Sequence, residues 1–482
     1  MKRTGFLLLA ALLLTAIAHQ RPPEYDEAYS VFLTAGNARP AWPSGVFTAG
    51  DVRGLFTGHA GFAQISHDLK NGDVHPPLYF WLLEIWRRLS GPSWLAARLL
   101  SVIFSTAALA VIAWLAEAAE IPVLPALSLT LLSYAFAYTG TIARGFALAQ
   151  FLNLLGFALI FQATRRHRQG HGHLLAFAGG LAFGAACFAN YLAVFIAFAT
   201  LFWLCLAQIR RRFLLPAALG LLPLILLDAP YFLAQRHSRT AQFISFSPIH
   251  ALALLAKDSG AALFGGLPLY AGPAAIAVIT ALLILCLASL GYVIQRRHKH
   301  TARLALAALA PPCGLLALGL IFHNTPIEIR YLAFSMPFLA LLLAAALPRA
   351  LRLLLIAVES CAIIGLAFAP ATMQPQALAA RQIAALNTTG ALVLLPFGND
   401  GTGIPGPFIA AVPDTMQILL LHPGNMPNLP HAPTIFLVTL RADDASRTAT
   451  AQALAYFSGN PCFKVNASTK LVTQILAREG KC

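Results

Sequence analysis

The chain has 482 residues, of which 58% are hydrophobic and 11% charged, with 33 Lys plus Arg against 18 Asp plus Glu and a formal net charge of +15. A mean hydropathy of +0.71 and so few charges place it far outside the soluble range of about 25% charged residues, which argues against a soluble enzyme. Nucleic acid is not an expected partner either: the basic residues cluster between apolar runs instead of forming one groove-like patch, and membrane topology with anionic lipid headgroups accounts for them.

Long unbroken Leu/Ala/Phe runs select helices over a barrel, so the fold class expected is an all-α polytopic membrane protein. Residues 1–20 open with Lys2 and Arg3 and continue as an apolar run. The residues before Arg21 (Ile17, Ala18, His19, Gln20) make a poor small-residue cleavage site, so this segment is expected to stay as a first membrane helix. Further apolar runs at 96–118, 123–140, 143–162, 174–189, 191–208, 213–230, 273–294, 304–322, 331–347 and 353–369 bring the expected spans to about eleven. Residues 174–208 as one helix would be about 52 Å long, too long for a hydrocarbon core of about 30 Å. A split near Asn190 is therefore expected.

With that split, the basic clusters at Lys2-Arg3, Arg165-Arg166-Arg168, Arg210-Arg211-Arg212, Arg296-Arg297-Lys299-Arg303 and Arg349-Arg352 all fall on one side. The positive-inside rule makes that side, and the N-terminus, cytoplasmic. The long loops at 20–95 and 231–272, and everything after Pro370, are then expected outside. Two domains follow, a membrane domain over 1–370 and a small outer α/β domain over 371–482, where short β-like runs (391–395, 434–440) accompany a helical pattern at 445–457. Cys462 and Cys482 lie in that tail and can pair in an oxidising compartment.

The outer loops hold the unusual chemistry. Glu24, Asp26 and Glu27 put three carboxylates within four positions of an acid-poor chain. Asp26 and Glu27 are adjacent, so on a helix they stand about 100° apart: one can face a site as general base while the other orients it. The same loop carries Asp51, Asp68, Asp73 and His75-Pro76-Pro77-Leu78-Tyr79-Phe80-Trp81. There 77–89 has the pattern of an amphipathic helix in the membrane interface, and His75 either contacts a phosphate or caps that helix. Arg144 and Arg330 stand at the outer starts of two later helices, where a guanidinium needs a partner and suits phosphate. No Gly-rich phosphate loop, HExxH or paired CxxC is present.

Taken together, Asp26-Glu27-Ala28-Tyr29, His75-Pro76-Pro77-Leu78-Tyr79, Ala97-Arg98-Leu99-Leu100-Ser101, Arg144 and Arg330-Tyr331 resemble, in order and spacing over about residues 1–370, the bacterial GT-C membrane glycosyltransferases of the protein O-mannosyltransferase and aminoarabinose transferase type. The resemblance implies an inverting glycosyltransferase of the inner membrane that moves a sugar from a polyprenyl-phosphate donor to an envelope acceptor on the periplasmic face. It further implies Asp26 and Glu27 as catalytic carboxylates, Arg144, Arg330 and His75 as donor-phosphate ligands, Tyr29, Tyr79 and Tyr331 as site-lining residues, and neither metal nor cofactor. The acceptor stays open among lipid, glycan and protein. This chain departs from the family at Ala143-Arg144-Gly145-Phe146, where many relatives continue Arg-Pro-Tyr. The rival reading is a transporter or flippase for an anionic lipid-linked substrate; it expects charges near the bilayer midplane, whereas the unusual charges here gather at the outer edge.

Overall fold

The computed structural model describes residues 3–165, 171–206, 208–235, 243–264, 300–368, 375–386, 390–424 and 432–478, with isolated positions between 277 and 291 and at 388 and 429. The expected span at 273–294 lies largely outside the described residues, and Cys482 lies outside them altogether. The chain divides into two compact units, one of residues 1–21, 66–83 and 98–371, the other of 22–65, 84–97 and 372–482. The second unit thus groups most of the first loop with the tail after residue 371.

The first unit is a multi-pass membrane bundle. Among the described residues seven helices are long and apolar enough to cross a bilayer: Arg3–Gln20, Trp94–Ala118, Phe146–Arg165, Gly172–Ala189, Leu214–Ala234, Thr301–Phe322 and Arg349–Phe368. Shorter apolar helices at Val123–Leu132, Tyr191–Cys205 and Met336–Ala346 account for the remaining expected runs. Two breaks have local causes. Asn190 leaves the helix in extended conformation and its side chain accepts from the Leu192 amide at 3.0 Å, which divides 174–208 where its length demanded. Ser133, also extended, caps the short helix Tyr134–Thr139 by accepting from the Phe136 amide at 3.4 Å.

Small residues let the spans approach closely, as membrane bundles require. A Cβ at Gly180 would sit 1.8 Å from the Ala217 carbonyl oxygen, so only glycine fits where Gly172–Ala189 meets Leu214–Ala234. The end of the first helix is closed by Arg98, which donates to the Ala18 and Arg21 carbonyls at 2.7 and 2.6 Å and so satisfies orphan carbonyls. That is a structural task for one of the motif residues.

The second unit is built on a six-stranded sheet in the order β1-β3-β2-β4-β6-β5, with β1 Phe47–Thr48, β2 Leu392–Pro396, β3 Gln417–Leu421, β4 Thr434–Val438, β5 Phe463–Ser468 and β6 Val472–Ala477. The centre is parallel, Leu392 standing opposite Gln417 on one side and Ile435 on the other, whereas β6 runs antiparallel to β4. Side chains alternate between two buried faces: Val393, Leu395, Ile418 and Phe436 join Phe32, Phe56 and Phe408, while Leu392, Leu394, Ile435 and Leu437 pack with Ala449, Ala453 and Phe457. β1, from the first loop, pairs antiparallel with β3 through Phe47 and Ile418. Cys462 is disulfide-bonded.

Helix Leu78–Ser90 forms where the amphipathic pattern places it, and two residues of its polar face, Glu84 and Arg87, are buried. Arg87 is fully buried and donates to the Phe56 carbonyl at 2.6 Å, the Thr34 hydroxyl at 2.7 Å and the Val31 carbonyl at 3.3 Å. Glu84, equally buried, pairs with Arg88 at 2.7 Å and His59 at 3.1 Å. A guanidinium with five donors can serve three acceptors at once, as no aliphatic side chain could.

Candidate functional site

Within the membrane unit, the chain entering helix Leu78–Ser90 places Asp73 and His75 together. The Asp73 carboxylate accepts from the Val74 amide at 2.6 Å and from His75 Nδ1 at 2.8 Å. Arg144, 3% exposed, brings a guanidinium nitrogen to 3.1 Å from the same His75 nitrogen and 3.7 Å from Asp73 Oδ1. Since a ring nitrogen that donates to Asp73 cannot also accept from Arg144, the carboxylate is the group that His75 and Arg144 share. Burial pushes the Asp73 carboxyl up, but the Arg144 and His75 charges and the two hydrogen bonds outweigh it and hold it well below the usual carboxylate range.

The backbone that presents His75 is fixed from behind. Gln235 donates through Nε2 to the His75 carbonyl and to the Leu69 carbonyl, both at 2.9 Å, and its Oε1 accepts from the Tyr191 hydroxyl at 2.9 Å. His75, Asn190, Tyr191, Phe232, Asn324 and Tyr331 are among the residues that line a cavity of about 130 Å³. Asn324 reaches it because His323 ends helix Thr301–Phe322 in the left-handed region, φ 55°, which turns the chain sharply.

Tyr331 and Arg330 come from the short helical turn Ile329–Phe334. The Arg330 guanidinium ion-pairs with Glu328 and lies 5.3 Å from the Tyr331 ring centre. The ring also stands 6.2 Å from that of Phe146, two residues beyond Arg144.

The structure thus gathers His75, Arg144, Arg330 and Tyr331 in one region of the membrane unit, all of them flagged by the sequence. Tyr79 packs differently: it is fully buried behind Gly145, its hydroxyl 3.5 Å from Ser101 Oγ. A Cβ at Gly145 would lie 2.6 Å from the Ala189 carbonyl oxygen and 3.3 Å from Tyr79 Cβ. The departure from the Arg-Pro-Tyr pattern therefore has a steric reason here. Asp73 and Gln235 were not singled out. The clue to Asp73 was its spacing two residues before His75; Gln235 left none, because its side-chain amide donates to backbone carbonyls.

Against this geometry, no family model and no curated protein matches the chain. Solved structures do. ArnT from Cupriavidus metallidurans bound to undecaprenyl phosphate is 12% identical with a TM-score of 0.50 over 99% of each chain. The same protein in the apo state is 13% identical with a TM-score of 0.51 over 98% of each. The chain has the GT-C fold. At this identity the likeness concerns the fold alone.

In the second unit, Asp26 and Glu27 open helix Tyr25–Thr34. Glu27 is fully buried, and its Oε2 accepts from the Glu24 amide at 3.1 Å, an N-terminal capping contact that also places negative charge at the positive end of the helix. Asp26, one position earlier, is half-buried. Tyr29 and Tyr25 both direct their hydroxyls to Asp400, Tyr25 at 3.1 Å, and Asp400 itself is held by the Thr402 and Gly403 amides at 2.7 and 3.1 Å. The acidic stretch is therefore tied to the loop after β2, and the two carboxylates differ in burial and in role.

Proposed function

We propose that the chain is an integral-membrane glycosyltransferase that moves a sugar from a polyprenyl-phosphate donor to an envelope acceptor on the periplasmic face of the bacterial inner membrane, with its N-terminus cytoplasmic. The observation that carries this reading is the Arg144–Asp73–His75 constellation, with Arg144 buried and the other two half-buried, beside an aromatic cavity in a chain with the GT-C fold. Such an arrangement suits a lipid monophosphate: the apolar walls take hydrocarbon, and fixed cations take the phosphate without reorganisation. ArnT from Cupriavidus metallidurans, one of the similar solved structures, is bound to undecaprenyl phosphate.

In this proposal Arg144, Arg330 and His75 hold the donor phosphate, and the Tyr331 hydroxyl donates to it. The acceptor's hydroxyl or amine attacks the anomeric carbon on the face opposite the phosphate. The bond from that carbon to the phosphate oxygen breaks, polyprenyl phosphate departs with the electron pair, and Asp26 takes the acceptor's proton. Glu27, through its capping contact, orients the segment that carries Asp26. Charge building on the departing phosphate is what the guanidinium groups stabilise, so their contribution is greater in the transition state than in the ground state.

Binding of undecaprenyl phosphate to the purified protein in detergent, with undecaprenol as the uncharged control, tests the donor half of the reading. Saturable binding of the phosphate, at least tenfold tighter than undecaprenol and lost in Arg144→Ala, is expected. Equal binding of the two lipids would overturn it.

A further inference from the structure

At the opposite end of helix Phe146–Arg165 from Arg144, about 30 Å away along 20 residues, lies a second cationic cluster. Arg303 is 7% exposed, one turn into helix Thr301–Phe322. Its guanidinium carbon stands 3.4 Å from the Phe161 ring centre and 5.4 Å from that of Trp203. Arg165 lies against the same Phe161 ring at 5.8 Å and Arg210 against the same Trp203 ring at 4.1 Å. The two shared rings therefore hold both outer arginines within about 10 Å of Arg303, no more than the screening length in 0.1 M salt.

Nothing in these segments neutralises the cluster. Residues 121–227 and 259–327 contain no Asp or Glu at all, although they carry the basic runs 165–168, 210–212 and 296–303. Arg303 has His300 Nδ1 at 2.7 Å, and its Nε is buried without a hydrogen-bond partner among the described residues. Aromatic faces offset part of the cost of three close guanidinium groups, but they add no counter-charge. The N-terminus of helix Thr301–Phe322 contributes further positive potential. Arginines that only reached for solvent would extend outward, whereas Arg303 is folded inward over a ring.

We propose that this end of the bundle is a phosphate-binding site, with Arg303 as the buried anchor and Arg165 and Arg210 as outer arms. Guanidinium forks match the geometry of phosphate oxygens. The phosphate comes either from the headgroup of an anionic lipid or from dissolved phosphate. The site is separate from the Arg144 constellation and does not depend on the glycosyltransferase reading.

The test is the thermal unfolding of the delipidated full-length protein in neutral detergent, titrated separately with phosphatidylglycerol, phosphatidylcholine and inorganic phosphate. Phosphatidylglycerol is expected to raise the melting temperature saturably, at a half-saturating concentration at least tenfold below that of phosphatidylcholine. A matching, competitive shift with inorganic phosphate identifies dissolved phosphate as the occupant; no shift with it identifies the headgroup. In the Arg165→Gln/Arg210→Gln double variant, whose changes lie outside the core and leave lipid-free melting intact, half-saturation should move up tenfold or more. Arg303→Gln should remove the shift, and should it fail to fold, the double variant decides. Equal responses to the two lipids, or an unchanged response in the double variant, would overturn the proposal.

Discussion

Asp73 and His75 are joined at 2.8 Å, and the same carboxylate oxygen stands 3.7 Å from Arg144. One carboxylate thus faces two groups that the proposed mechanism assigns to the donor phosphate. Removing its charge would take the Asp73 anion away from the buried Arg144 guanidinium, so Asp73→Asn should destabilise the protein by about 3–5 kcal/mol. Urea or thermal unfolding in detergent measures this.

The pH dependence of that loss has a fixed sign. Asp73 has its folded pKa held below the unfolded value of about 3.9. The stability it adds is fully present above the unfolded value and is lost as pH falls through the folded one. The gap in melting temperature between wild type and Asp73→Asn should therefore persist from pH 7 down to pH 5. A gap that closes within that interval would contradict the assignment of Asp73 as the ionised partner.

Arg144→Lys keeps the charge but replaces a fork by a point. It should weaken binding of undecaprenyl phosphate about tenfold, equivalent to about 1.4 kcal/mol, and Arg144→Ala should weaken it further. Donor titration of the two variants checks the order. Identical affinities for wild type, Lys and Ala would remove Arg144 from the phosphate site.

Gly145→Ala tests the close approach behind Arg144. The new Cβ would meet the Ala189 carbonyl at 2.6 Å, and overpacking of this kind costs about 1–3 kcal/mol. A lower melting temperature together with weaker donor binding is expected, because Arg144 moves with its neighbour. An unchanged melting temperature would show that the backbone relaxes there.

In the second unit, Arg87 supports three oxygen acceptors at once. Arg87→Met keeps much of the volume and removes the guanidinium donor to the Phe56 carbonyl, a loss of about 1–3 kcal/mol for a carbonyl left unpaired in the interior. Markedly increased proteolysis of the loop 35–65 in Arg87→Met, relative to wild type, reports the loss.

How much of this was legible in the sequence depends on whether a feature repeats. The spans were legible because hydropathy is set by long runs, and even the break at Asn190 followed from bilayer thickness. Arg144, His75 and Arg330 stood out because charge is rare at the edge of hydrocarbon. By contrast, β1 is two residues long and shows no alternation, so nothing in the first loop announced that it joins a sheet formed by the tail. The polar face of Leu78–Ser90 was legible as polar, but amphipathicity does not say whether water or backbone carbonyls lie opposite, and Arg87 meets carbonyls. Glu27 and Asp26 looked equivalent as neighbours. Their difference arises from a capping geometry that depends on where the helix starts.

The most direct measurement is sugar transfer by the purified protein, supplied with a panel of labelled polyprenyl-phosphate sugars and an envelope extract, with wild type and Asp26→Asn run side by side. The proposed function predicts label passing from one of the lipid donors to an acceptor with wild type, and transfer at least a hundredfold slower with an Asp26→Asn protein that folds and inserts normally. Transfer at the wild-type rate by Asp26→Asn would contradict the role given to Asp26. Donor that binds and crosses the bilayer intact, with no sugar transferred, would contradict the enzyme itself.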